Sequence, residues 1–206
     1  MSEPVERFPL FPLGLVLLPG EAQPLHIFEQ RYRTMIERCL EDGSPFGIIW
    51  MGEHGLHDTG CTAEITQLLE RMEDGRINVL VEGGRAFRLE RRIDDMEYPA
   101  GDVELLDDEP LRDDPEAGEA ARRGYADLVE RVTDSRPSEA DLAELGSYAM
   151  AATIAFELDA KQELLELRSE SARLARLTEL CREALKRVDY TQQASERAQT
   201  NGKVRH

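Results

Sequence analysis

Lysine, cysteine and long apolar runs are the scarce features of this 206-residue chain. Lysine occurs only at Lys161, Lys186 and Lys203. None of them stands in a Gly-x-x-x-x-Gly-Lys-[Ser/Thr] pattern, so no loop that cradles nucleotide phosphates is encoded. Basic residues number 25 in all against 42 acidic ones, a formal charge of −17. A surface of that sign gains nothing from counterion release on a phosphate backbone and is repelled by anionic lipid, so no nucleic-acid and no membrane partner is expected. Cysteine appears three times, at Cys39, Cys61 and Cys181, with no CxxC spacing. That usage excludes a disulfide framework and fits a reduced, cytoplasmic setting. Nowhere do about 20 apolar residues follow one another, so no segment is expected to cross a membrane as a helix. Glu3 and Glu6 precede the first apolar run and prolines break it, the reverse of a signal peptide.

What is present is concentrated in residues 8–40, FPLFPLGLVLLPGEAQPLHIFEQRYRTMIERCL. Pro9 and Pro12 lack backbone donors, which predicts an edge strand, or a strand that starts and stops, over 8–13. Residues 15–18 read as a second apolar strand stopped by Pro19-Gly20, and Pro24 opens a short strand through Phe28. The period then changes from two to 3.6. Tyr32, Met35, Ile36, Cys39 and Leu40 fall on one helical face, with Glu29 near the start and Gly43 after the end.

Further along, 46–51 (FGIIWM) reads as a central strand and 52–60 as a Gly- and His-rich loop. Residues 61–72 predict a long bent strand, 73–75 (Glu-Asp-Gly) a hairpin turn and 76–82 its partner. Gly83-Gly84 reads as another turn, 86–93 as a strand and 103–106 as a last short one. Such spacing suggests a small barrel or folded sheet. Residues 94–119 carry one base, Arg112, among many acids. Beyond them the pattern is helical. Ala121, Tyr125, Leu128, Val129 and Val132 form a stripe. Ser138 with Asp141 caps a helix reaching about Phe156, Asp159 with Gln162 caps a short one, and Ser169 or Ser171 opens the last. The expected organisation is a β-rich part over 7–106, an acidic linker over 107–115, a helical part over 116–190, and a polar tail over 191–206 that lacks an apolar face and is expected to be disordered.

The segments PLFPL, LLPG and PLHIFEQRYR resemble the N-terminal domain of the Lon protease family, which also occurs as stand-alone bacterial proteins. The likeness returns in GCTAEITQLLERMEDGRINVLVEG, from Gly60, and in LDAKQELLE, from Leu158, and it covers roughly residues 8–188. Family members commonly carry Pro where this chain has Gln30. The resemblance implies an α+β fold: a β-rich, PUA-like pseudo-barrel with one inserted helix, then a helical subdomain. It also implies a non-catalytic, substrate-capturing protein-binding module, free-standing as an adaptor. Lon proteolysis requires an ATPase module and a Ser–Lys pair, both outside the region of resemblance, so no enzyme is expected here.

His54 and His57 with Glu53, Asp58 and Cys61 are ligand types, but a Gly-rich loop preorganises them poorly, and no metal or cofactor is expected. Residues 8–18 carry more apolar side chains than an edge strand covers. Phe8, Phe11, Leu13, Leu15, Leu17, Trp50 and Met51 are therefore the candidate docking residues for a protein or peptide partner, taken by strand addition at a sheet edge. Pro19, Gly20, Phe28, Glu29, Arg31 and Tyr32 match the family motif and are read as structural, with Arg31 tying the helix to a carboxylate on the sheet. RNA binding, by analogy with PUA-like folds, and ATP-dependent peptidase activity are both disfavoured, the first by charge and the second by the missing modules.

Overall fold

The computed structural model describes residues 3–110 and 114–202. The chain divides into two compact units, one of residues 1–109 with 151–168, the other of residues 110–150 with 169–206. The helical region is thus not one block over 116–190, because 151–168 belongs with the strands.

The first unit holds strands β1 (Glu3–Leu13), β2 (Ala22–Ile27), β3 (Phe46–Gly52), β4 (Gly55–Arg71), β5 (Ile77–Ile93) and β6 (Ala100–Leu105), with helix α1 (Gln30–Asp42) inserted after β2. They form a single sheet in the order β2-β5-β4-β3-β1-β6, and an added β5–β6 pairing closes five of the strands into a barrel. The expected α+β architecture is therefore present. Inside lie Phe8, Leu10, Ile49, Phe87 and Val103, with Phe8 edge-on to Phe87 at 5.9 Å.

Of the two arrangements its prolines allow, β1 is not an edge strand along its length; its pairing with one neighbour stops where that with the other starts. Its Glu3–Pro9 part pairs antiparallel with β6, and Leu10–Leu13 pair parallel with β3. Each part has one ladder neighbour, and a strand paired on one side at a time tolerates a missing donor. Residues 15–18 form no strand. Val16, Leu17 and Leu18 are buried, but the Leu18 amide donates to Glu21 Oε2 at 2.9 Å and the following Gly20 amide to the Gly83 carbonyl at 2.7 Å. Their backbone is held by a docked turn in place of a ladder.

The predicted turn at Gly83-Gly84 lies inside β5. There the glycines serve close approach: a Cβ on Gly83 would sit 2.1 Å from the Leu18 carbonyl oxygen, and one on Gly84 2.5 Å from Thr62 Oγ1. β5 consequently runs straight through 86–93, pairing first with β2 and then with β6 while β4 follows it, bent by register shifts. Most of the predicted loop 52–60 is likewise the start of β4, since Gly55 at φ +118 lets a tight turn close the hairpin. The turn predicted over 73–75 is present, with Gly75 at φ +84. Helix α1 buries Tyr32, Met35, Ile36 and Cys39 and ends at Gly43 in the left-handed region. Helix α5 (Leu158–Glu166) belongs to this unit and buries Gln162, Leu164 and Leu165. Its N-cap position is Glu157, so Asp159 sits in the first turn without capping.

The second unit contains α2 (Pro115–Thr133), α3 (Glu139–Ala143), most of α4 (Ser147–Ala152) and α6 (Glu170–Gly202). Asp114 caps α2 through the Ala117 amide at 3.1 Å, and Ser138 caps α3 through the Asp141 amide at 3.1 Å. The single helix expected from Ser138 to Phe156 is broken before Ser147, where Gly146 precedes the start of α4. Of the α2 stripe, Ala121, Tyr125 and Leu128 are buried, whereas Val132 is 63% exposed. α2 and α6 run side by side and parallel, since Arg131 near the end of one pairs with Asp189 of the other at 2.8 Å, and a Cβ on Gly124 would lie 3.5 Å from Cys181 Cβ. The tail expected from residue 191 is helical through Gly202, and 203–206 lie outside the described residues, as do Arg112 and the rest of 111–113 in the acidic segment. No helix among the described residues is long and apolar enough to cross a membrane.

Candidate functional site

A cleft of 780 Å³ opens in the first unit. Its position follows from the way β1 changes neighbours. Over Glu3–Pro9 the strand has β6 on one side. Its other side, where β3 has not yet begun to pair, faces the cleft with Val5, Phe8 and Pro9. Arg38, Cys39 and Asp42 at the end of α1, with Pro45, form the opposite wall, and Thr62, Gly84 and Leu105 lie between.

Local strain shapes this wall. Arg7 has φ +55 in an irregularity between Val5 and Phe8. An L-residue adopts that conformation only when the surroundings hold it there. The holding group is Asp102, which accepts the Arg7 amide at 3.1 Å and the Arg91 Nε at 3.0 Å. These contacts, the Arg7 amide first, hold the Asp102 carboxyl below its ordinary 3.8.

The cleft contains no constellation for covalent chemistry. The Cys39 thiol is buried, and burial pushes its pKa up, which disfavours the thiolate. Thr62 Oγ1 accepts the Arg85 amide at 2.8 Å, and among the described residues it makes no hydrogen bond to a histidine or carboxylate. Elsewhere in the unit, desolvation raises the Cys61 thiol strongly. Lys161, the only lysine of the unit, is bound through Nζ to both oxygens of Glu21 at 2.7 and 2.8 Å. Among the described residues no group of three or more His, Cys, Asp or Glu is placed to hold a metal ion. His57 instead stacks on Trp50, with ring centroids 4.2 Å apart.

The sequence candidates scatter. Phe8 lines the cleft although it is only 6% exposed. Phe11, packed on Tyr32 with centroids at 4.2 Å, and Leu17 are core residues, covered by α1 and the barrel wall, and offer no docking surface. Leu13, Leu15 and Trp50 are half-buried. Met51 is exposed and borders a separate hollow of 300 Å³ with Pro12 and Arg31. Among the motif residues, Pro19 and Gly20 make the turn docked on Gly83, and Tyr32 is core. Glu29 occupies the N-cap position of α1 without a side-chain cap, and Arg31 pairs with it at 2.9 Å and, among the described residues, with no carboxylate on the sheet. Phe28 is 61% exposed, at 6.0 Å from the His26 ring, and is not a packing residue.

Sequence reasoning missed the Glu21–Lys161 pair, which joins the LLPG turn to the LDAKQELLE helix and so brings together two of the segments that carried the resemblance. It also missed Val5, Cys39, Thr62 and Leu105 in the cleft. No spacing rule connects those positions, since four different elements supply them.

Comparison with known proteins gives one consistent result. The ATP-dependent protease La (LON) substrate-binding domain family matches residues 7–183. A Lon N-terminal domain protein from Xanthomonas campestris superimposes with a TM-score of 0.65 at 26% identity, over 84% of this chain and 97% of that one. The N-terminal domain of Mycobacterium avium complex Lon protease gives a TM-score of 0.64 at 18% identity over 88% and 98%, a likeness of fold. Lon protease 1 of Syntrophobacter fumaroxidans is 27% identical over 188 residues, 82% of this chain but 23% of its own length. Lon protease of Parabacteroides distasonis is 30% identical over 112 residues, 50% of this chain and 14% of its own length. The chain thus spans less than a quarter of the Lon proteases it matches.

Proposed function

Because the chain belongs to the ATP-dependent protease La (LON) substrate-binding domain family, we propose that it holds polypeptide segments as a binding module or adaptor and performs no covalent chemistry on them. The observation that carries this reading is the cleft along the β6-free side of β1. An extended segment laid there adds a strand beside Val5–Pro9, and its alternate side chains rest on Phe8, Pro9, Pro45 and Leu105. Four to six residues of such a segment span roughly 13–20 Å. Main-chain hydrogen bonds give affinity with little sequence demand, which suits a module that meets many unfolded chains. The absence of an activated nucleophile around the cleft supports binding without cleavage.

The test is a titration of isotope-labelled protein with reduced, unfolded casein, followed by amide NMR. Shifts concentrated at Val5–Phe8, Cys39 and Thr62 are expected, and casein incubated with the protein and ATP stays intact. Shifts confined to other surfaces, or none at all, refute the cleft as the site. Casein fragments refute the non-catalytic reading.

A further inference from the structure

Building on the cleft as a polypeptide groove, we propose that its occupant carries lysine or arginine beside its apolar residues. The charges at the rim point this way. Arg7, Arg38 and Arg85 line the cleft, and each guanidinium is already engaged. Arg7 pairs with Asp95 at 3.0 Å, and Arg38 with Asp42 at 3.5 Å while it donates to the Tyr98 hydroxyl at 3.0 Å. Arg85 holds Glu3 at 3.0 Å and Asp107 at 2.6 Å. An incoming carboxylate therefore finds no unpaired cation among the described lining residues.

The acids are differently placed. Asp42 is taken by Arg38, but Glu6 and Glu64 are exposed, and among the described residues neither side chain makes an ion pair or hydrogen bond. Glu64 also stands directly opposite Glu82 in the β4–β5 ladder, and Glu82 is exposed and equally unengaged. Directly opposed residues share a face of the sheet, and two like charges there repel. An ammonium or guanidinium placed at Glu64 relieves that repulsion, while an acidic segment adds to it. The total charge of −17 acts in the same direction at longer range.

Fluorescence anisotropy with the full chain and two labelled peptides tests this. Both share an alternating Val/Phe core, one flanked by lysines and the other by glutamates. The lysine-flanked peptide is expected to bind roughly tenfold tighter, with the advantage shrinking as salt is added. Glu64→Gln and Glu6→Gln each reduce it, while Glu53→Gln, on the β3–β4 turn, leaves it unchanged. Ser44→Trp, or Met96→Trp if that variant folds better, fills the cleft and abolishes binding of both peptides. Equal affinities that both vanish on filling the cleft overturn the charge inference and leave the groove standing. Equal losses from Glu53→Gln and Glu64→Gln overturn it too, since general attraction then explains the preference. No binding of either peptide overturns the groove itself.

Discussion

Each unit is pinned by one carboxylate, and the two pins differ in what they connect. In the first unit Glu21 accepts the Leu18 amide at 2.9 Å and the Lys161 ammonium at 2.7 Å, with both side chains little exposed. Its partner lies 140 residues away. In the second unit Glu170 accepts the Ser147 amide at 2.7 Å and hydroxyl at 2.6 Å, and its cation is Arg173, one turn along the same helix at 2.8 Å. Arg173 is 2% exposed and also lies over the Tyr148 ring at 4.3 Å. The shared device is an acid that satisfies a backbone donor no ladder or helix reaches: the docked LLPG turn in one case, the open first turn of α4 in the other. Glu21 joins segments remote in sequence, whereas Glu170 and Arg173 are set by one helix and reach across to a second. The local pin has the more buried cation, and the remote one closes the longer loop.

This contrast can be broken from either side. Arg173→Ala has the largest expected effect. It leaves Glu170 only its Ser147 contacts, removes the stack on Tyr148 and empties a buried site, a loss of about 3–5 kcal/mol that urea titration followed by far-UV circular dichroism reads. Lys161→Met comes next, at about 1–3 kcal/mol, because Glu21 keeps the Leu18 amide. Trp50, the one tryptophan, stands in the first unit and reports that change by fluorescence. If Lys161→Met costs as much as Arg173→Ala, closing the long loop matters more than depth of burial.

The smallest effect belongs to Asp102, a half-buried acid doing a similar service for the Arg7 amide. Its carboxyl is held below the ordinary 3.8, so its contribution is present above that pH and is lost as pH falls through the lower folded value. Asp102→Asn is expected to lower Tm slightly at neutral pH, with the gap to the parent closing in acid. A gap that persists in acid means the carboxylate charge contributes nothing.

Where one side chain pattern answers to one element, the sequence was readable. The α1 face and the hairpin at 73–75 follow from period and turn chemistry alone; strand spacing allowed a small barrel or a folded sheet, and the family resemblance implied a pseudo-barrel. The errors share a physical origin. Prolines in β1 report only a missing donor, and the strand accommodates them by changing partners midway, which no local signal announces. Gly83-Gly84 shows the same composition whether it reverses the chain or lets Leu18 and Thr62 come close. Residues 15–18 are as apolar as a strand, yet the Leu18 amide is claimed by Glu21 and the Gly20 amide just after them by Gly83. For the site, an excess of apolar residues over 8–18 did not say which were covered. Of the seven candidates only Phe8 reaches the cleft, because α1 and the barrel wall bury Phe11 and Leu17.

The reach of Lys161 back to Glu21 also sets a schedule for biosynthesis. A ribosome adding roughly 5–20 residues each second needs on the order of ten seconds to travel from one to the other. Through that interval the nascent barrel holds the Glu21 turn without its cation and without the Leu164 and Leu165 side chains of α5. The second unit's first helices emerge before the first unit is complete. A stalled chain ending before Leu158 is therefore expected to be more open to protease at the LLPG turn than one released past Arg168.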